Sequence, residues 1–174
     1  KYYVSQFNFL VIDECCRLVV PEILQPKGFY GDPLPDVKST SYEDSFIKEV
    51  FVIGLASPTQ MAFVDDETLL VLEKNNGKVR VIDNGVLKEE AAYDFNVYAP
   101  LESGLVGILN YEGDIYIYVT ESLADGEPAL GNYIYRFNWD GEKLTNKEIM
   151  NILPARDSPR HHGGAMAAGL DGTI

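Results

Sequence analysis

The sequence predicts an all-β fold built from four-stranded units of the kind found in β-propellers. Three observations predict it. From Phe46 onward, short β-branched and aromatic runs alternate with turn residues. Asn-Gly and Asp-Gly pairs stand between many of these runs, and such pairs tolerate the positive φ angles that tight hairpins demand. The order strand, turn, strand, Gly, strand, Asx-Gly, strand then recurs along the chain.

The 174 residues contain 46% hydrophobic and 24% charged side chains, an ordinary globular balance. Residues 1–45 are expected to be an irregular lead-in. Gln25-Pro26-Lys27-Gly28 and Gly31-Asp32-Pro33-Leu34-Pro35 interrupt any regular element there, and one short helix is expected over Val11–Val20. Asp13, Glu14 and Arg17 break the apolar run from Phe7 to Val20, so it is a poor secretory signal, a partial leader being the alternative reading. No stretch has the ~18–20 continuous apolar residues that span a bilayer. Cys15 and Cys16 are adjacent, which suits neither a metal site nor a relaxed disulfide.

Residues 46–174 form the β domain. Its expected strands are Ile47–Ile53, Gln60–Val64, Leu69–Glu73, Lys78–Ile82, Leu105–Leu109, Ile115–Thr120 and Tyr133–Trp139. The first repeat runs from Met61 to Val86-Leu87, and the second from Val106 to Lys143-Leu144. A third begins at Gly164–Ala168, turns at Asp171-Gly172 and stops at Thr173-Ile174. This gives about two to two-and-a-half blades, and the chain reads as the N-terminal fragment of a larger ring. A β-sandwich is the competing architecture, distinguished by Greek-key crossings between sheets.

The charge balance bears on partners. Fourteen basic against 27 acidic residues give a net charge of −13, which argues against nucleic acid and anionic membrane surfaces.

Two loops hold the residues suited to chemistry. The only histidines are His161 and His162, in Arg160-His161-His162-Gly163-Gly164. Histidine exchanges protons near neutrality, and the two glycines after the pair allow close backbone approach. A loop pair with purely structural glycines is the plainer alternative. One blade earlier, Glu102 opens Glu102-Ser103-Gly104-Leu105-Val106-Gly107, where it is either an acceptor facing a ligand or a solvated turn carboxylate. Gly104–Gly107 lacks the spacing and following helix of a dinucleotide fingerprint. Asp65-Asp66-Glu67 is too few oxygens for calcium. Tyr116, Tyr118 and Trp139 read as strand packing. No metal ligand is assigned within the chain.

The order "SPTQMAFVDDETLLVLEKNNGKVRVIDNG", "ESGLVGIL", "GDIYIYVT", "NYIYRFNWDGEKL" and "LPARDSPRHHGGAMAAGLDGTI" resembles the glucose/sorbosone dehydrogenase family from about Lys48 to Ile174. The resemblance implies a six-bladed β-propeller that uses pyrroloquinoline quinone to oxidise aldose sugars and passes electrons to an external acceptor. It implies a periplasmic or extracellular location. By the same resemblance His161, the first histidine of H-x-G-G, is the general base, and Glu102 lies beside the quinone. His162 stands where the family often has Asn or Gln. The basic residues that grip the quinone and the calcium ligands are expected beyond residue 174. Ala165, where many members have Arg, and Arg160, where a carboxylate often precedes the histidine, depart from the family pattern. Those departures sustain a second hypothesis, a non-catalytic propeller that binds carbohydrate or protein.

Overall fold

The structure is a computed structural model. It describes the backbone of Val11–Ile12 and Leu18–Val19, then residues 50–155, 160 and 162–174. Among these residues there is no helix. The helix expected over Val11–Val20 is a correction: β1 (Val11–Ile12) and β2 (Leu18–Val19) pair antiparallel instead. Val11, Ile12 and Val19 are β-branched and favour extended backbone over helix. Cys15 and Cys16 lie outside the described residues.

Two antiparallel sheets form the body of the molecule. The first contains β3 (Pro58–Phe63), β4 (Thr68–Glu73), β5 (Lys78–Asp83) and β6 (Val86–Leu87), in that order. A further short strand, β7 (Tyr93–Asp94), pairs with the opposite end of β5. The fourth strand of this unit is thus split around Glu89-Glu90-Ala91. Lys88 N–H still donates to Val81 O, Ala92 N–H to Val79 O and Phe95 N–H to Gly77 O, so the outer edge of β5 is largely satisfied. The second sheet contains β8 (Leu105–Tyr111), β9 (Asp114–Ser122), β10 (Ala129–Trp139) and β11 (Leu144–Leu153). Both sheets follow chain order, and no described strand crosses between them as a Greek-key sandwich would require.

The hairpin chemistry is as the turn residues demand. Asn84 and Gly85 have φ of 48° and 75°, and Glu112 and Gly113 have 53° and 88°. Two successive positive φ angles match the twist of the strands they join.

Three expectations about strands are corrected. Residues 50–53, the described part of the first expected strand, are irregular, with Val50, Phe51 and Ile53 exposed. Val52 and Leu55 pack instead on Leu69, Val71 and Ile82 of the first sheet. The last strand of the second unit is ten residues long rather than a short piece at Lys143-Leu144. Its polar Thr145-Asn146-Lys147-Glu148 stretch, exposed from Asn146 onward, carries no apolar alternation to announce it. Finally, residues 162–174 contain no strand. Gly169 N–H donates to Thr173 O across the expected turn.

The main core lies between the sheets. Leu70, Leu72, Val79 and Val81 of the first sheet meet Ile115, Ile117, Val119, Tyr135 and Phe137 of the second, with Phe95 and Val97 from the connecting loop. Alternation places Leu69 and Val71 on the other face of β4, so that strand is buried on both sides.

β3 and β8 lie side by side and run in the same direction, joined by side chains instead of a backbone ladder. Thr59 Oγ1 donates to Leu105 O at 2.9 Å, Ile108 N–H to Gln60 Oε1 at 2.6 Å, and Asn110 Nδ2 to Phe63 O at 2.8 Å. Gln60 therefore satisfies a backbone donor of a residue that is only 4% exposed. Gln60→Ala would orphan that N–H, an expected cost of about 1–3 kcal/mol. The check is a shift of the urea midpoint, larger than the shift for Gln60→Glu, which keeps an acceptor. An unmoved midpoint would show that the stitch contributes nothing.

Candidate active site

Buried polar side chains gather at one end of the two sheets. Among the described residues they are Glu73, Ser103, Thr120, Ser122, Asn132 and His162. Glu73 closes β4, Ser103 precedes β8, Thr120 and Ser122 close β9, and Asn132 lies near the start of β10. The antiparallel order brings all these positions to the same end. Burying polar groups costs free energy unless each finds a partner, so their concentration marks this end as specialised.

Partners are found. Glu73 accepts from Ala56 N–H and Asn76 Nδ2, both at 2.7 Å, and faces Arg80 Nη1 at 3.4 Å. Thr120 Oγ1 donates to Asn132 Oδ1 at 2.8 Å, and Asn132 Nδ2 donates to Pro154 O at 3.3 Å. Thr120 also uses its backbone, donating N–H to Gly104 O at 2.9 Å and accepting from Tyr98 N–H at 3.0 Å. Lys74 Nζ donates to Ala99 O at 2.7 Å, and burial lowers its pKa. These bonds tie the loop before β8 to the ends of both sheets.

The two loops singled out from the sequence meet here. Ser103 Oγ and His162 Nδ1 lie 3.0 Å apart although 59 residues separate them. Which of the two donates follows the imidazole tautomer. Tyr118 Oη donates to the backbone carbonyl of His162, and burial raises the Tyr118 pKa. Tyr118 is therefore more than strand packing.

The glycines of the two loops explain each other. A Cβ on Gly107 would lie 2.0 Å from Gly164 O, and one on Gly164 would lie 2.8 Å from Val106 Cγ2. Only backbone without side chains lets β8 and the Gly163-Gly164 turn approach so closely. The joint presence of E-S-G-L-V-G and H-H-G-G is thus a packing requirement as well as a sequence pattern.

Of the two expected site residues, Glu102 is exposed, next to fully buried Ser103. His161 lies outside the described residues. Arg160 and Ala165 are exposed on either side of the buried His162. Sequence reasoning passed over Ser103, His162 and Tyr118. The available signal was Ser103 inside the Glu102 motif, a small hydroxyl beside a glycine where a buried partner is readily met.

Residues 55–174 match the sequence profile of glucose/sorbosone dehydrogenases. The chain belongs to the glucose/sorbosone dehydrogenase family. Its fold is similar to that of an oxidoreductase described as a glucose dehydrogenase from Thermus thermophilus, with a TM-score of 0.59 and 30% identity over 70% of this chain and 37% of that one. It is also similar to a second solved glucose dehydrogenase, with a TM-score of 0.58 and 23% identity over 68% of this chain and 36% of the other. This family chain thus spans a little over a third of the length of those two proteins. No curated protein matches it by sequence. The two antiparallel sheets agree with a piece of a propeller.

Proposed function

We propose that the protein carrying this chain oxidises the anomeric hydroxyl of an aldose, with pyrroloquinoline quinone as hydride acceptor and an external acceptor downstream. The observation that supports this most is the Ser103–His162 contact. It joins the two motif loops of a chain that belongs to the glucose/sorbosone dehydrogenase family.

The described residues do not by themselves fit the cofactor and its calcium. No group of three or more His, Cys, Asp or Glu side chains among them converges on a point where a metal could sit. Lys74 donates to Ala99 O and Asn75 Oδ1, and so is turned to structural use in place of gripping a carboxylate. We assign the calcium ligands and the cationic grip to residues outside this chain. No reaction step is derived through either group.

What this chain contributes is the proton side of the reaction. The sugar loses a hydroxyl proton and a hydride from C1, and leaves as a lactone. A neutral imidazole at His161 takes the proton, because the His162 ring is already engaged by Ser103. Glu102, exposed on the neighbouring loop, supplies an acceptor at the edge of the same site. The location proposed is periplasmic or extracellular, where sugars and external acceptors are met.

The test is reconstitution of the protein with pyrroloquinoline quinone and calcium, followed by dye reduction with glucose and other aldoses. Aldose-dependent reduction with lactone as product is expected, and alditols, which lack an anomeric hydroxyl, are expected to be inert. Carbohydrate binding without any reduction would overturn this reading in favour of the non-catalytic propeller.

A further inference from the structure

We propose that Ser103, His162 and Tyr118 form a clasp that sets the loop before β8 against the His162–Gly164 turn, with His162 as a positioning residue. Three anchors act within three consecutive residues, two on His162 and one on Gly164. The His162 ring is held by Ser103, the His162 carbonyl by Tyr118 of β9, and Gly164 by its seat on Gly107 of β8. Ser103 is 0% and His162 4% exposed, so water cannot readily replace either partner. The clasp is also adjacent to chemistry on both loops: Ser103 follows Glu102, and His162 follows His161.

Such a clasp matters because proton transfer is sensitive to placement. A misplacement of ~1 Å by a change outside the reacting groups costs on the order of 10²-fold in rate. Two loops 59 residues apart have no covalent reason to stay aligned. Tethering each of them one residue from its expected functional side chain removes that freedom.

The use of Nδ1 makes the proposal specific. The amide of asparagine reaches the position of an imidazole Nδ1, whereas the longer glutamine amide reaches that of Nε2. An asparagine at position 162 can therefore keep the bond to Ser103, and a glutamine cannot keep it in the same geometry.

The kinetic part of this proposal rests on the sugar-oxidation reading; the clasp itself does not. Wild type, S103A, H162A, the S103A/H162A double variant, H162N and H162Q are compared in the full-length protein loaded with quinone and calcium. For H162A, kcat is expected to fall about 10-fold with KM for the aldose within about 2-fold, and H162N is expected to recover most of the loss while H162Q does not. Thermal midpoints of the cofactor-free proteins give a readout independent of activity. The double variant is expected to lose no more than the worse single variant, because one bond is removed in all three. Additive midpoint losses, or H162N behaving no better than H162Q, would overturn the clasp. Lowered midpoints with unchanged kcat would reduce His162 to packing and overturn its positioning role. If wild type oxidises no aldose, the sugar reading fails, and the midpoint cycle still decides the clasp.

Discussion

His161→Ala is expected to lower aldose turnover by roughly 10²–10⁴-fold in the protein reconstituted with pyrroloquinoline quinone and calcium, the usual scale for losing a positioned general base. The loss should fall on kcat, with the quinone retained, since the cationic grip is assigned outside this chain. Pre-steady-state reduction of the bound quinone measures this directly. His162→Ala should cost far less, about 10-fold, because its ring is spent on Ser103. Glu102→Ala should fall between them and raise the quinone concentration needed for half-saturation. Near-normal oxidation by His161→Ala would remove His161 from the reaction.

Gly107→Ala is expected to be strongly damaging. Its Cβ would lie 2.0 Å from Gly164 O and 2.8 Å from Tyr118 Cβ. The first of these is backbone, so no rotamer change relieves the clash. Either β8 or the glycine turn must move, and both carry the clasp. Overpacking of this kind costs about 1–3 kcal/mol and occasionally more. A lowered thermal midpoint together with a kcat loss of at least 10-fold is expected, because the shift displaces the turn beside His161. Gly113→Ala serves as the control. A Cβ there meets nothing within 4 Å, and only its φ of +88° resists substitution, a strain on the order of 1 kcal/mol. If Gly107→Ala melts and turns over like Gly113→Ala, the interlocking of the two motifs has no energetic weight.

Much of the fold could be read from particular residues. Asn84-Gly85 and Glu112-Gly113 marked hairpins because few residues accept two positive φ angles in succession. Leu69–Glu73 marked a strand, and the structure buries its continuous apolar residues alternately in two cores. What could not be read lay where pairing, not pattern, decides. Edge strand β11 exposes most of its residues and so needs no apolar alternation. The segment 50–53 has strand-like residues but covers a sheet face without joining a ladder. At Val11–Ile12 and Leu18–Val19 extended backbone prevailed over the helix read from the segment.

The sequence by itself determined most strands of the two sheets, their turns, the up-and-down order within each unit, and the two loops in which chemistry could reside. Those properties depend on neighbours a few residues apart, through φ preferences and alternation. Only the tertiary structure showed that His162 is committed to the fold, because that commitment is a contact across 59 residues. It also decided why the glycines recur: a Cβ on Gly107 would run into the Gly164 carbonyl, and one on Gly164 would run into Val106. Burial does the rest, turning Ser103 from a loop hydroxyl into a partner that His162 can hardly exchange for water.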